Sequence, residues 1–73
     1  MSPRTNDVVL IVFESVPRTR RFRISDFAVI GSAGRCREFL KIGEDVVHAE
    51  SCLLRNNFRV VFESSNILLF VRN

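Results

Sequence analysis

Seventy-three residues make one domain, near the lower size at which a chain buries enough apolar surface to fold unaided. At 47% hydrophobic residues the chain is too apolar for disorder, yet no apolar run reaches the roughly 20 residues of a membrane span. The net charge of +3 comes from eleven basic residues, ten of them arginine, interspersed with eight acids, a modest bias and not a nucleic-acid signature in itself.

The first segment, Met1 to Asp7, is polar and is expected to be a flexible N-terminus. It has no apolar stretch after a basic start, so it does not read as a secretory signal, and an intracellular home is expected. Val8 to Phe13 is a run of six apolar residues, mostly β-branched, and reads as a strand buried on both faces. Pro17 stops it, because proline lacks the donor a ladder needs.

Arg21-Phe22-Arg23-Ile24-Ser25 alternates polar and apolar residues, which places Phe22 and Ile24 on one side of a half-exposed strand and its arginines in water. Asp26 reads as a turn, Phe27 to Ile30 as a third strand, and Gly31-Ser32-Ala33-Gly34 as a connection with backbone amides suited to an anion nest. Phe39 to Ile42 reads as a fourth strand, ended by Gly43-Glu44-Asp45. Ser51 to Arg55 is a fifth, joined by a tight Asn56-Asn57 turn to Phe58 to Glu63. Ser64-Ser65-Asn66 then turns the chain into a last strand, Ile67 to Val71.

Seven short, mainly antiparallel strands at this spacing predict an all-β domain over 8–73, a small sandwich or open barrel. Phe13, Phe27, Phe62 and Phe70 sit inside apolar runs and are expected in its core. Only Gly34 to Leu40 and Glu44 to Leu54 offer room for a helix. The second is a rival to the fifth strand, with Asp45 as cap and Val46, Val47, Glu50, Leu53 and Leu54 at roughly helical spacing.

No catalytic constellation stands out, and the chain is not expected to be an enzyme. His48 is the only imidazole; Asp45 and Ser51 flank it at a spacing that shares a face only on a helix, whereas a turn histidine among polar residues is the commoner occurrence. The Gly31–Gly34 segment lacks the lysine and hydroxyl of a phosphate-binding loop. One histidine and two cysteines without a CxxC spacing are too few for a structural zinc site, so neither metal nor cofactor is expected. Cys36 and Cys52 read as free thiols, since small secreted scaffolds are denser in cysteine.

Three stretches resemble the forkhead-associated (FHA) domain. Arg21-Phe-Arg-Ile-Ser-Asp-Phe-Ala-Val-Ile-Gly-Ser32 is similar to the strand pair leading into the family's isoleucine-glycine-arginine motif. Val47-His-Ala-Glu-Ser-Cys-Leu-Leu54 lies where the family has its valine-serine-arginine-x-histidine segment. Phe58-Arg-Val-Val-Phe-Glu-Ser-Ser-Asn66 is similar to the strand that ends in serine-serine-asparagine.

The resemblance implies a C-terminally reduced β-sandwich that serves signalling as a protein-interaction module, without membrane contact, and nuclear more than cytoplasmic. Its phosphothreonine chemistry would be weakened or lost. Ser32 stands where the family's phosphate-binding arginine belongs, His48 (or Asp45, in the other alignment) where its serine belongs, and Ser51 where its histidine belongs; Asn66 is retained beside Ser65, and Arg35 or Arg37 would have to reach back to the phosphate. The missing last strands would leave an edge open for a partner strand or, weakly, for a second copy.

A second reading is a small basic β-barrel that binds nucleic acid through Arg18, Arg20, Arg21 and Arg23 around Phe22.

Overall fold

The β-branched run after Asp7 forms the centre of the fold. In the computed structural model, which describes residues 6–72, it lies in a strand β1 (Asp7–Val16) paired antiparallel to β2 (Arg21–Ile30) on one side and to β4 (Ile67–Arg72) on the other. β3 (Arg59–Glu63) pairs with β4, so the sheet has four antiparallel strands in the order β2-β1-β4-β3. Between the two hairpins the chain makes a 3-10 helix (Gly34–Phe39) and one α-helix, α1 (Val46–Arg55).

The architecture is strand-rich and antiparallel, as expected, but it is one open sheet and neither a seven-stranded sandwich nor a barrel. Each difference has a local cause. Asp26 does not turn the chain: a bulge at Ser25, opposite the Val12–Phe13 step, absorbs one residue and lets the second and third expected strands run on as β2. The expected fourth strand, Phe39 to Ile42, does not form: Phe39 ends the 3-10 helix, which Gly34 enters with a left-handed φ of 59°, and Leu40 to Ile42 lead into a turn at Gly43. The expected fifth strand is α1, because Asp45 caps it as the rival reading required: its carboxylate accepts the Val47 N–H at 2.9 Å. Asn57 does take a positive φ of 70°, but just past the end of a helix instead of inside a hairpin.

The helices cover one face of the sheet. Val9 and Ile11 of β1, Ile24 of β2 and Leu68 and Phe70 of β4 point to that face and are buried against Cys36, Leu40, Val46, Ala49 and Leu53. Of the four phenylalanines expected in the core, Phe70 is fully buried, Phe13 and Phe27 are partly buried at its margin, and Phe62, 53% exposed, is not core. Cys36 and Cys52 are not free thiols. They form a disulfide, with Cα atoms 5.6 Å apart, that ties the 3-10 helix to α1 beneath the sheet. Joined in this way, they no longer argue for a reducing, intracellular compartment.

At one end of the sheet, Asp7 holds three segments together. Its carboxylate accepts from Arg72 Nε at 3.0 Å, from Arg72 Nη2 at 2.8 Å and from the Ser32 backbone N–H at 3.0 Å. Of the Gly31–Gly34 amides expected to form an anion nest, the Ser32 N–H is taken by the chain's own Asp7 carboxylate and the Gly34 N–H by Ser32 Oγ. Gly31 has a φ of 83°, and a Cβ there would sit 2.5 Å from Asp7 Oδ1, so both backbone and space call for glycine. Arg72 also donates to the Asn56 carbonyl at 3.1 Å and stacks 4.4 Å above the Phe58 ring, fastening the end of α1 to the last strand.

Candidate interaction surfaces

The residues expected to form an FHA-type binding face do not converge. Ser32 lies at the Asp7 end of the sheet, where its N–H serves Asp7 and its Oγ accepts the Gly34 N–H at 3.0 Å. Arg35 and Arg37 are exposed on the neighbouring 3-10 helix. Ser65 and Asn66 lie in the β3–β4 turn, at the opposite end of β4, where Ile67 pairs with Val12. Asn66 has a local role there: its carbonyl accepts the Phe13 N–H at 2.9 Å and its side chain accepts from Ser64 Oγ at 3.2 Å. His48 and Ser51 are exposed on α1.

The helix does bring Asp45, His48 and Ser51 to one face, but Asp45 is engaged in capping Val47. Among the described residues His48 has no hydrogen bond to either neighbour; its ring lies 6.4 Å from that of Phe39, tilted by 60°. No three metal-ligating side chains cluster among the described residues, and both cysteines are consumed by the disulfide.

Two other surfaces have a coherent character. β4 pairs with β1 only as far as Val12, so the β1–β2 hairpin continues beyond the sheet as a two-stranded arm. Phe13 and Phe22 brace it edge to face, centroids 5.4 Å apart and planes at 86°. Its tip carries Arg18 and Arg20, both with positive φ, and its second strand Arg21 and Arg23. The Ile24 N–H donates to the Glu44 carbonyl and the Gly43 N–H to the Ile24 carbonyl, both at 2.8 Å, which folds the segment before α1 against the outer edge of β2. A groove of about 430 Å³ results, with Arg21, Phe22 and Arg23 on one wall and Asp45 and His48 on the other.

The second surface is the other face of the sheet. Strand pleating turns Val8, Leu10 and Val12 of β1, Ala28 and Ile30 of β2, Ile67, Leu69 and Val71 of β4 and Phe62 of β3 away from the helices. The register sets them in three rows: Ile30-Val8-Val71-Arg59, Ala28-Leu10-Leu69-Phe62 and Asp26-Val12-Ile67. Among the described residues no element covers these rows, and Ile30 is 62% exposed. Over Val8 to Val12 the first strand thus has one buried face, Val9 and Ile11, and one half-buried face, where its composition suggested burial on both. This surface was missed because an apolar run looks the same whether a second layer comes from its own chain or from elsewhere.

The chain matches no family model, no curated protein and no solved structure.

Proposed function

We propose that this chain is a protein-interaction module without chemistry of its own, and that it binds through the uncovered face of its sheet. The observation that carries this reading is the contiguous set of apolar side chains in three cross-strand rows, with charges only at Asp26 and Arg59, where an ordinary monomer surface has its apolar residues scattered singly. Phosphothreonine capture of the FHA type forms no part of the proposal, because Ser32 and Asn66 stand at opposite ends of the sheet.

The test is a selection of displayed small domains against the immobilised protein, with resonance shifts mapped for each binder. Binders are expected to shift Leu10, Leu69 and Phe62 and to be lost on Leu69→Lys, a substitution on a half-exposed face that leaves the disulfide and the core intact. Binders that ignore Leu69→Lys would refute the reading.

The arginine arm favours a second reading, nucleic-acid binding by a basic two-stranded ribbon of a size that a groove admits. Here a labelled oligonucleotide would bind with a logarithmic salt slope that becomes shallower in Arg21→Ala and Arg23→Ala. Leu69→Lys would not affect it.

A further inference from the structure

The geometry points to a second copy of this chain as the occupant of the uncovered face, stacked sheet to sheet with the strands of the two copies crossing near a right angle. This inference rests on the reading of that face as an interaction surface and adds the identity and orientation of the partner.

The charges on the face set the orientation. Asp26 lies on the outer strand β2, in the row of Val12 and Ile67, and Arg59 lies on the other outer strand β3, in the row of Val71 and Val8. They occupy diagonally opposite corners. Three strand spacings separate β2 from β3, about 14 Å, and four residues separate the two rows along β2, also about 14 Å, so the patch is nearly square. Two stacked faces related by a twofold axis must have that axis in the plane between them.

An axis along the strands would lay Asp26 over the far end of β4 and β3, and an axis across them would lay it over Ile30. Only an axis along the diagonal that avoids both charges places Asp26 of each copy on Arg59 of the other. On a square patch this axis turns one set of strands by about 90°, the orthogonal class of sheet packing. The pairing occurs twice, once on each side of the axis. Leu10 and Leu69 fall near the centre, and the arginine arms project past the β3 edge of the opposite copy, free of the contact.

The patch is large enough for a reversible dimer. Roughly 20 Å on a side with its side chains, it hides about 800 Å² across two copies, the size of a weak, reversible contact. Edge-to-edge pairing through β3 is the rival arrangement. It is disfavoured because β3 is only five residues long, broken by a bulge at Val61 and flanked by Arg59 and Glu63, the features by which edge strands resist pairing.

The test is sedimentation velocity over a concentration series. The wild-type protein is expected to move from a species of 8.4 kDa to one of twice that mass. Asp26→Arg and Arg59→Asp should each weaken association by about tenfold, and the double reversal should restore it, because opposite charges then face each other again. Leu69→Lys should abolish it. A monomer at every concentration would overturn the inference, as would a dimer indifferent to the charge reversals. If the protein is monomeric while selected binders still depend on Leu69, the face is an interaction surface whose occupant is not a second copy; if neither dimer nor binder depends on Leu69, both readings fall.

Discussion

Arg72 Nη2 lies 2.8 Å from Asp7 Oδ2, so the last described residue of the sheet is clamped to the first residue of β1. The hydrogen bonds from Arg72, then the bond from the Ser32 N–H, hold the Asp7 carboxyl below its ordinary pKa of 3.8. A carboxyl with a depressed folded pKa contributes stability that is complete above its unfolded pKa and is lost as pH falls through the folded value. The melting temperature of the wild-type protein should therefore drop more steeply below about pH 4 than that of Asp7→Asn, which lacks the titrating group. Parallel acid melts of the two proteins check this; identical slopes would mean that the clamp does not contribute.

The Cys36–Cys52 disulfide closes a loop with a sequence separation of 16 and joins the two helical segments. A cross-link of that span stabilises by about 3 kcal/mol, largely through the unfolded chain. Reduction, or the double change Cys36→Ser with Cys52→Ser, should lower the urea midpoint accordingly and steepen the denaturant slope, because the unfolded chain without its cross-link exposes more surface. Mass spectrometry of the purified protein after alkylation should find no free thiol.

Leu69 and Phe70 are sequence neighbours on opposite faces of β4, and their substitution should separate the two faces energetically. Phe70 is fully buried, so Phe70→Ala should cost about 3–5 kcal/mol through lost burial and the cavity left behind. Leu69→Ala, on the uncovered face, should cost less than about 1 kcal/mol in a dilute monomer. Equilibrium unfolding of both variants at low concentration gives the comparison.

Asp45 is the side chain that turns an ambiguous stretch into a helix. Asp45→Ala removes the acceptor of the Val47 N–H and should cost about 1 kcal/mol, with Asp45→Asn close to wild type. Thermal melts followed in the far ultraviolet would register the difference as a lower midpoint for the alanine variant alone.

Besides the expected strands found in β2 and β3, two survived from sequence to structure because their pattern admits one outcome. Val8 to Phe13 and Ile67 to Val71 are apolar throughout, built from β-branched residues, leucine and phenylalanine, and both lie in the sheet. Ser51 to Arg55 is ambiguous in sequence because Cys52 and Leu54 alternate as a strand would, while Val46, Val47, Glu50, Leu53 and Leu54 recur at roughly helical spacing. The cap at Asp45 decided it, and Leu54 ended 49% exposed. Asp26 carried a turn signal but sits in a bulged strand, since the bulge at Ser25 needs no break in hydrogen bonding on either side.

Nothing local in the sequence linked Cys36 to Cys52 or Asp7 to Arg72, because those contacts depend on how the two hairpins and the helix come together. The same limit applied to the FHA-type site: Ser32 and Asn66 each sit in a turn, as their residue types suggest, but strand order places the turns at opposite ends.

The central claim, an apolar sheet face that no element among the described residues covers, is tested most directly by isotope-filtered nuclear Overhauser measurements on methyl-labelled protein mixed with unlabelled protein. Leu69 methyls should show intramolecular contacts only to other residues of their own sheet, such as Leu10 and Phe62, with any further contacts arising between copies. Intramolecular contacts from Leu69 to α1 or to any other segment of the same chain outside the sheet would contradict the claim, because the face would then be filled from within.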